Sequence, residues 1–220
     1  MKILAIESSG SSLSVAISEN GNIMTEYFYN AGKIHSDVLV PLTEKIIKGA
    51  KWELRDIDKF AVNIGPGSFT GIRVAMSVIK TLAQTLNKPV VACDSLDVLK
   101  NQLNVNIKGI KIVPAVDALR NEVYVKQKNE IIIESVEKFV NDLKKYKNNV
   151  VIVGSAVFTY QKLFVKELGK NSVSLQEWQN FPRAATLALM AEKIDGVSFD
   201  KVEPVYGRKS WAEEKKTNFS

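Results

Sequence analysis

Seven residues, Gly65 to Gly71 (GPGSFTG), gather three glycines, a proline, a serine and a threonine between an apolar segment and a long helical pattern. A tight turn of this kind leaves backbone N–H groups free at a helix N-terminus, where the dipole favours negative charge, so the segment suits an anion. Gly65, Gly67, Ser68, Thr70 and Gly71 are its candidate donors. The string lacks the Lys-Ser/Thr pair of a P-loop and the spacing of a dinucleotide fingerprint. The alternative is a strand-to-helix turn that holds nothing. Arg73, two residues further on, is placed to reach an anion or a carboxylate across an interface, with a structural salt bridge as its other reading.

Little else in the chain can do chemistry. There is one histidine, His35, for which capping or simple hydrogen bonding is expected, and one cysteine, Cys93, with no partner base nearby in sequence. A nucleophile needs such a base, so a peptidase has no support. A lone cysteine forms no internal disulfide and fits a reducing cytoplasm. No residue is expected to be catalytic or to bind a metal.

At 220 residues, 45% hydrophobic and 25% charged, the chain has the composition of a globular protein able to bury a core. No apolar run approaches the length of a membrane span. The opening MKILAIESSG is too short in its apolar part for a signal peptide and reads as a buried strand. The net charge of +6 raises the chance of contact with phosphates or RNA. The lysines, however, are spread from Lys33 to Lys216, and no aromatic-plus-basic string of the RNP kind occurs. This argues against a stand-alone nucleic-acid module and fits a basic face within a larger RNA-handling assembly.

The elements that position these residues follow from pattern. Residues 2–7 read as a strand, 13–18 and 23–30 as a hairpin about Asn20-Gly21, and 36–50 as a helix whose Pro41 either kinks it or marks its first turn. Residues 54–58 read as a polar connection and 59–64 as a strand leading into the glycine turn. Strand 89–93 precedes a small helix capped by Asp94 and Ser95 and ending near Leu103. A boundary falls at 104–109. Beyond it come strands at 110–116, 123–128 and 131–135, a helix at 136–146, a strand at 150–153, and helices at 157–168 and 183–194.

LAIESS, His35-Ser36 before the Pro41 helix, GPGSFTGIRV, Pro89-Val90 and Asp94-Ser95-Leu96 resemble the TsaB (YeaZ) family. So do Asp117…Arg120…Glu122-Val123-Tyr124 and Glu203-Pro204-Val205-Tyr206. The resemblance covers nearly the whole chain and is strongest over residues 1–100. It implies an α/β, two-lobed actin-like or RNase H-like fold, each lobe a mixed sheet flanked by helices. Residues 1–104 would form the first lobe and 105–220 a smaller second one, whose last helix and tail pack back on the first. It also implies a non-catalytic subunit of the bacterial machinery that makes threonylcarbamoyladenosine in tRNA, cytoplasmic and away from membranes. The partners would be TsaD as a heterodimer, TsaE, a second copy of the chain when alone, and tRNA through the complex. No cofactor is expected to bind tightly, because ATP and a metal belong to the partner subunits.

The same resemblance adds Ser8 and Ser9, in Glu7-Ser8-Ser9-Gly10-Ser11, to the anion candidates as a first phosphate loop in which Glu7 stands where aspartate is usual. The second loop, Asp117 to Asn121, has no glycine, and the third survives as Gly154-Ser155. TsaD holds its metal with a pair of histidines. Here Asp94 and Asp97 offer only carboxylates, for which helix capping is the stronger reading than magnesium. Asp117, Arg120, Glu122 and Tyr124 read as structural or interface residues, and the tail Arg208 to Lys216 as solvated or ordered by a partner. The rival function is a small ATP-dependent kinase or acyltransferase acting through Glu7 and the glycine loops.

Helical wheels point to the partner surface. Ile72, Ala75, Met76, Ile79, Leu82, Ala83 and Leu86 share the core face of the helix after the glycine turn. Val74, Ser77, Val78, Thr81 and Thr85, all small or β-branched, line the opposite side, where charge would be ordinary. The apolar arc of the first helix, including Val38, Leu42 and Ile46, is also wide. Either these two helices cover each other, or both, with Arg73, form an interface.

Overall fold

The computed structural model describes residues 1–30, 35–103, 109–146, 149–173 and 176–206. The boundary residues 104–108, the tail from 207, and the side chains of residues 35 and 36 lie outside the described residues, and with them the roles expected of His35 and Ser36. The chain is α/β, with sheets flanked by helices.

The strands β1 (Lys2–Glu7), β2 (Leu13–Glu19), β3 (Asn22–Tyr29), β4 (Lys59–Asn63) and β5 (Val90–Cys93) form a five-stranded sheet in the order β3-β2-β1-β4-β5. The first three are antiparallel, turning at Asn20 and Gly21, both with positive φ, as the Asn-Gly signal requires. β1, β4 and β5 run parallel. An apolar run without alternation, such as KILAIE, belongs to a strand covered on both faces. Leu4 and Ile6 point to the helices α1 (His35–Gly49) and α2 (Phe69–Leu86), while Ile3 and Ala5 point to α6 (Ala184–Ala191).

Small side chains let α6 lie close to the sheet, with Ala184, Ala188 and Ala191 packed among Ala5, Ala16 and Ala61. Its two ends are fastened electrostatically. At the start, Arg183 donates two hydrogen bonds to the Glu26 carboxylate, at 3.1 and 2.6 Å. At the end, the buried Lys59 ammonium donates to the carbonyls of Ala191 and Ile194 at 3.1 and 2.8 Å, where the helix dipole is negative.

A second group of strands comprises β6 (Lys111–Pro114), β7 (Val116–Asp117), β8 (Glu122–Gln127), β9 (Glu130–Ser135) and β10 (Val150–Val153). The single strand and single mixed sheet expected here are not what forms. β6 pairs in parallel with β10, and β7, β8 and β9 make a separate antiparallel sheet. Pro114 has no N–H to extend the ladder, and Ala115 turns toward β10, donating to the Val153 carbonyl and accepting from Ala156 N–H. α3 (Ser95–Gln102) packs on this region through Leu96 and Leu99. α4 (Val136–Leu143) and α5 (Ala156–Leu168) close its core around the fully buried Phe164.

Candidate functional site

The glycine turn joins β4 to α2, and its glycines bring two stretches of backbone together. A Cβ on Gly71 would stand 1.9 Å from the Ser8 carbonyl oxygen, and one on Gly67 2.1 Å from that of Ser9. The N–H groups expected to face an anion turn inward instead. Ser68 N–H donates to the Ser9 carbonyl at 2.6 Å, and Gly71 N–H donates to the Ser68 hydroxyl at 3.2 Å as a helix cap. Gly65 N–H donates to Asn63 Oδ1 at 2.8 Å. The Ser8 hydroxyl donates to the Gly71 carbonyl at 2.7 Å. Thr70 is exposed on the first turn. The cradle read from the sequence is therefore a packed junction in which the N–H groups of Gly65, Ser68 and Gly71 are already taken by the chain.

Glu7 belongs to the same junction. Its Oε1 accepts from both the N–H and the hydroxyl of Ser9 at 2.6 Å, while Oε2 is buried without a partner. Burial pushes this carboxyl up to about 7, against the pull of the Ser9 hydrogen bonds. A carboxyl whose pKa is raised by folding favours the native state while protonated. Its contribution is full below the unfolded range and is lost as pH climbs toward about 7. Glu7→Gln, a permanent mimic of the neutral acid, is thus expected to match the parent near pH 5 and to exceed it by roughly 1–3 kcal/mol near pH 8. Urea melts at the two pH values check this, and equal stabilities at both would contradict it.

The other two loops are no more open. Leu119, Arg120 and Asn121 have φ of 61°, 54° and 60°, a region that favours glycine, in a turn pinned by Asp117 Oδ1 accepting from Leu119 N–H at 2.8 Å. The Gly154 φ is +118°, and a Cβ there would meet the Ala115 carbonyl at 2.4 Å. Its N–H donates to Asn180 Oδ1. Asp94 caps α3 through Asp97 N–H, and the carboxylates of both take the Lys126 ammonium, at 2.7 and 2.5 Å, where magnesium was the alternative. Burial, with Asp94 and Asp97 adding to it, pushes the Cys93 thiol up to about 12, far from a reactive thiolate. These residues do not fit a nucleotide's phosphates or a metal ion at these positions.

Among the described residues Arg73 makes no salt bridge. Its guanidinium stacks 3.8 Å from the Phe69 ring centroid and 5.4 Å from that of Tyr206, and Nε donates to the Tyr206 hydroxyl at 2.7 Å. This ties the start of α2 to residues near the chain's end.

The helix faces divide as the wheel predicts in part. Ile72, Ala75, Met76, Ile79 and Ala83 are buried, while Leu82 and Leu86 are only half-buried, at the edge of the core. On the far side Ser77, Thr81 and Thr85 are exposed and Val74 and Val78 half-covered, so α1 lies beside α2 without closing over it. On α1, Val38 and Leu42 are half-buried, Pro41 sits within the helix beyond its first turn, and Ile46 is 1% exposed. Ile46 belongs to the chain's own core and presents nothing to a partner.

Between the two helices runs an apolar groove of about 740 Å³, lined by Val40, Ile47, Trp52, Leu54, Val78 and Leu82 among others. Val40 is 56% exposed. Trp52 and Leu54 were not singled out in the sequence, where 54–58 reads as polar. A short 3₁₀ turn, Leu54–Asp56, capped by Glu53, aims Leu54 into the groove. Trp52 carries the Lys2 ammonium 4.8 Å from its ring. The usable signal was the apolar pair in Trp52-Glu53-Leu54, directly after a wide-arc helix.

A family model described as "TsaD: tRNA N6-adenosine threonylcarbamoyltransferase" matches residues 29–194. Among curated proteins, "tRNA threonylcarbamoyladenosine biosynthesis protein TsaB" of Bacillus subtilis is 34% identical over 99 residues, 45% of this chain and 43% of that protein. Its Escherichia coli counterpart is 30% identical over 96 residues, 44% and 41% of the two chains. A "tRNA N6-adenosine threonylcarbamoyltransferase" of Thermodesulfovibrio yellowstonii is 33% identical over 112 residues, 44% and 34%. The match thus spans less than half the length of each of these relatives. In three dimensions, YeaZ from Pseudomonas aeruginosa superposes with a TM-score of 0.69 at 23% identity, covering 93% of this chain and 99% of that one. A protein described as similar to peptidase YeaZ, also from Pseudomonas aeruginosa, gives 0.70 at 22%, covering 94% and 99%. The likeness to these two structures is one of fold.

Proposed function

We propose that this chain, which belongs to the TsaD-type tRNA threonylcarbamoyltransferase family and is of its TsaB (YeaZ) kind, is a non-catalytic subunit of a complex that makes threonylcarbamoyladenosine in tRNA. One observation carries the reading. The chain leaves an apolar groove open between α1 and α2 while its glycine loops are filled by its own backbone. An apolar groove left open between two helices, with Val40 more than half exposed at its edge, is a fitting seat for another polypeptide. The filled loops argue against independent phosphoryl transfer and so against the kinase or acyltransferase alternative. The names of the curated relatives supply the pathway.

The occupant of the groove is a TsaD-type transferase, and a second copy of the chain takes its place when the transferase is absent. TsaE, ATP, the metal and the tRNA enter through the assembly, in the cytoplasm. Reconstitution tests this. Purified chain, TsaD-type transferase and TsaE are incubated with tRNA, ATP, threonine and the enzyme that forms threonylcarbamoyl-adenylate, omitting one component at a time. Modification should stop when this chain is left out, and the chain alone should turn over no ATP. Full modification without it, or steady ATP turnover by it, would contradict the proposal.

A further inference from the structure

A second depression, of about 460 Å³, opens between β6, β8, α3 and the end of α4. Its floor is apolar, with Ile112, Val113 and Phe139. Its rim is basic in sum: the carboxylates that line it are all paired, two ammonium groups being shared among four carboxylates, and four further lysines outnumber the remaining negative charge. Asp97 pairs with Lys126, and Glu134 and Asp142 both pair with Lys138. Lys100, Lys111, Lys128 and Lys145 remain on the rim, exposed and without a carboxylate partner among the described residues. They come from four different places: the end of α3, the start of β6, the β8–β9 turn and the 3₁₀ turn after α4. Two of them are held in place by Tyr146. Lys111 donates to its hydroxyl at 2.8 Å and lies 4.1 Å from its ring centroid, and Lys145 lies 5.3 Å from the same ring.

We propose that this groove binds a single-stranded segment of RNA, with phosphates on Lys100, Lys111, Lys128 and Lys145 and a base face against the apolar floor. Uncompensated lysines set around an opening track a phosphate backbone, and an apolar platform between them accepts a base of any identity. The opening is larger than a single inorganic phosphate fills. An acidic peptide adding to the free edge of β6 fits less well, since that strand is four residues long and ends in Pro114. That the RNA is the tRNA being modified rests on the function proposed above. The binding itself is measured on this chain alone, so its failure leaves the partner reading untouched.

Fluorescence anisotropy of a short labelled single-stranded RNA, titrated with the chain between about 50 and 200 mM salt, tests it. Lys111→Glu/Lys145→Glu is expected to weaken binding about tenfold or more at the lower salt and to make the salt dependence shallower by about one phosphate contact or more. The independent pair Lys100→Glu/Lys128→Glu should do the same, which guards against a folding defect in either. Lys170→Glu/Lys193→Glu, with the same change in charge at exposed positions away from the groove, should change affinity by no more than about twofold. Equal losses in groove and control variants would overturn the proposal. So would unchanged binding by both groove variants, or displacement of the RNA by an equal concentration of poly-glutamate.

Discussion

Val78→Asp and Thr81→Arg are each expected to abolish binding of a TsaD-type transferase while leaving the chain folded. Val78 is half-covered and Thr81 exposed on the outer side of α2, and both line the groove. In the free chain a charge at Thr81 stays in water and costs little, while one at Val78, which is half-covered against the core, costs somewhat more without unfolding the chain. In the complex the same charge would be buried in a largely apolar groove, a penalty of about 3–5 kcal/mol where the partner offers it no opposite charge. That corresponds to a loss of more than about 100-fold in affinity. Calorimetric titration of each variant against the transferase, beside its thermal melt, reads both halves of the expectation. Parent-like affinity with an unchanged melt would place the partner elsewhere.

The second large effect concerns the fold. Gly71→Ala should destabilise the chain by about 3 kcal/mol or more, because the new methyl group would meet the Ser8 carbonyl oxygen at 1.9 Å. The two nearest atoms are backbone atoms of Ser8. Ser8 is buried at the end of β1, and its hydroxyl is bonded to the Gly71 carbonyl. For a chain of this size the drop corresponds to about 6–12 °C in melting temperature. Gly49→Ala is the internal control. It lies at the end of α1 with nothing within 4 Å of its Cβ position, and it should be neutral or stabilising by up to about 1 kcal/mol. A Gly71→Ala protein as stable as Gly49→Ala would mean that the loop-to-helix junction yields easily, and the reading of closed loops would lose its footing.

Much of this architecture is legible in the sequence because it is local. KILAIE announces a strand covered on both faces, Asn20-Gly21 the hairpin, and the spacing of Ile72, Ala75, Met76 and Ile79 the core side of α2. What the glycines of 65–71 do is not legible, because their neighbours, Ser8 and Ser9, lie about sixty residues away. A glycine that admits a ligand and one that admits backbone look the same in one dimension. Arg73 is similar, since its partner Tyr206 is 133 residues distant. The break of residues 110–116 into β6 and β7 was visible in principle at Pro114, which cannot donate to a ladder. The strong β propensity of the surrounding residues hid it. Leu54 was hidden by the charged residues beside it, and only the short turn that carries it shows where it points.

Hydrogen–deuterium exchange on the chain, with and without a TsaD-type transferase, tests the central claim most directly. Binding should slow exchange along α1 and the outer turns of α2 and around Trp52 to Leu54, and leave the Ser8–Ser9 and Gly65–Gly71 backbone as protected as in the free chain. Protection that skips these helices, or a glycine junction that exchanges freely and closes only when ATP is added, would contradict the account.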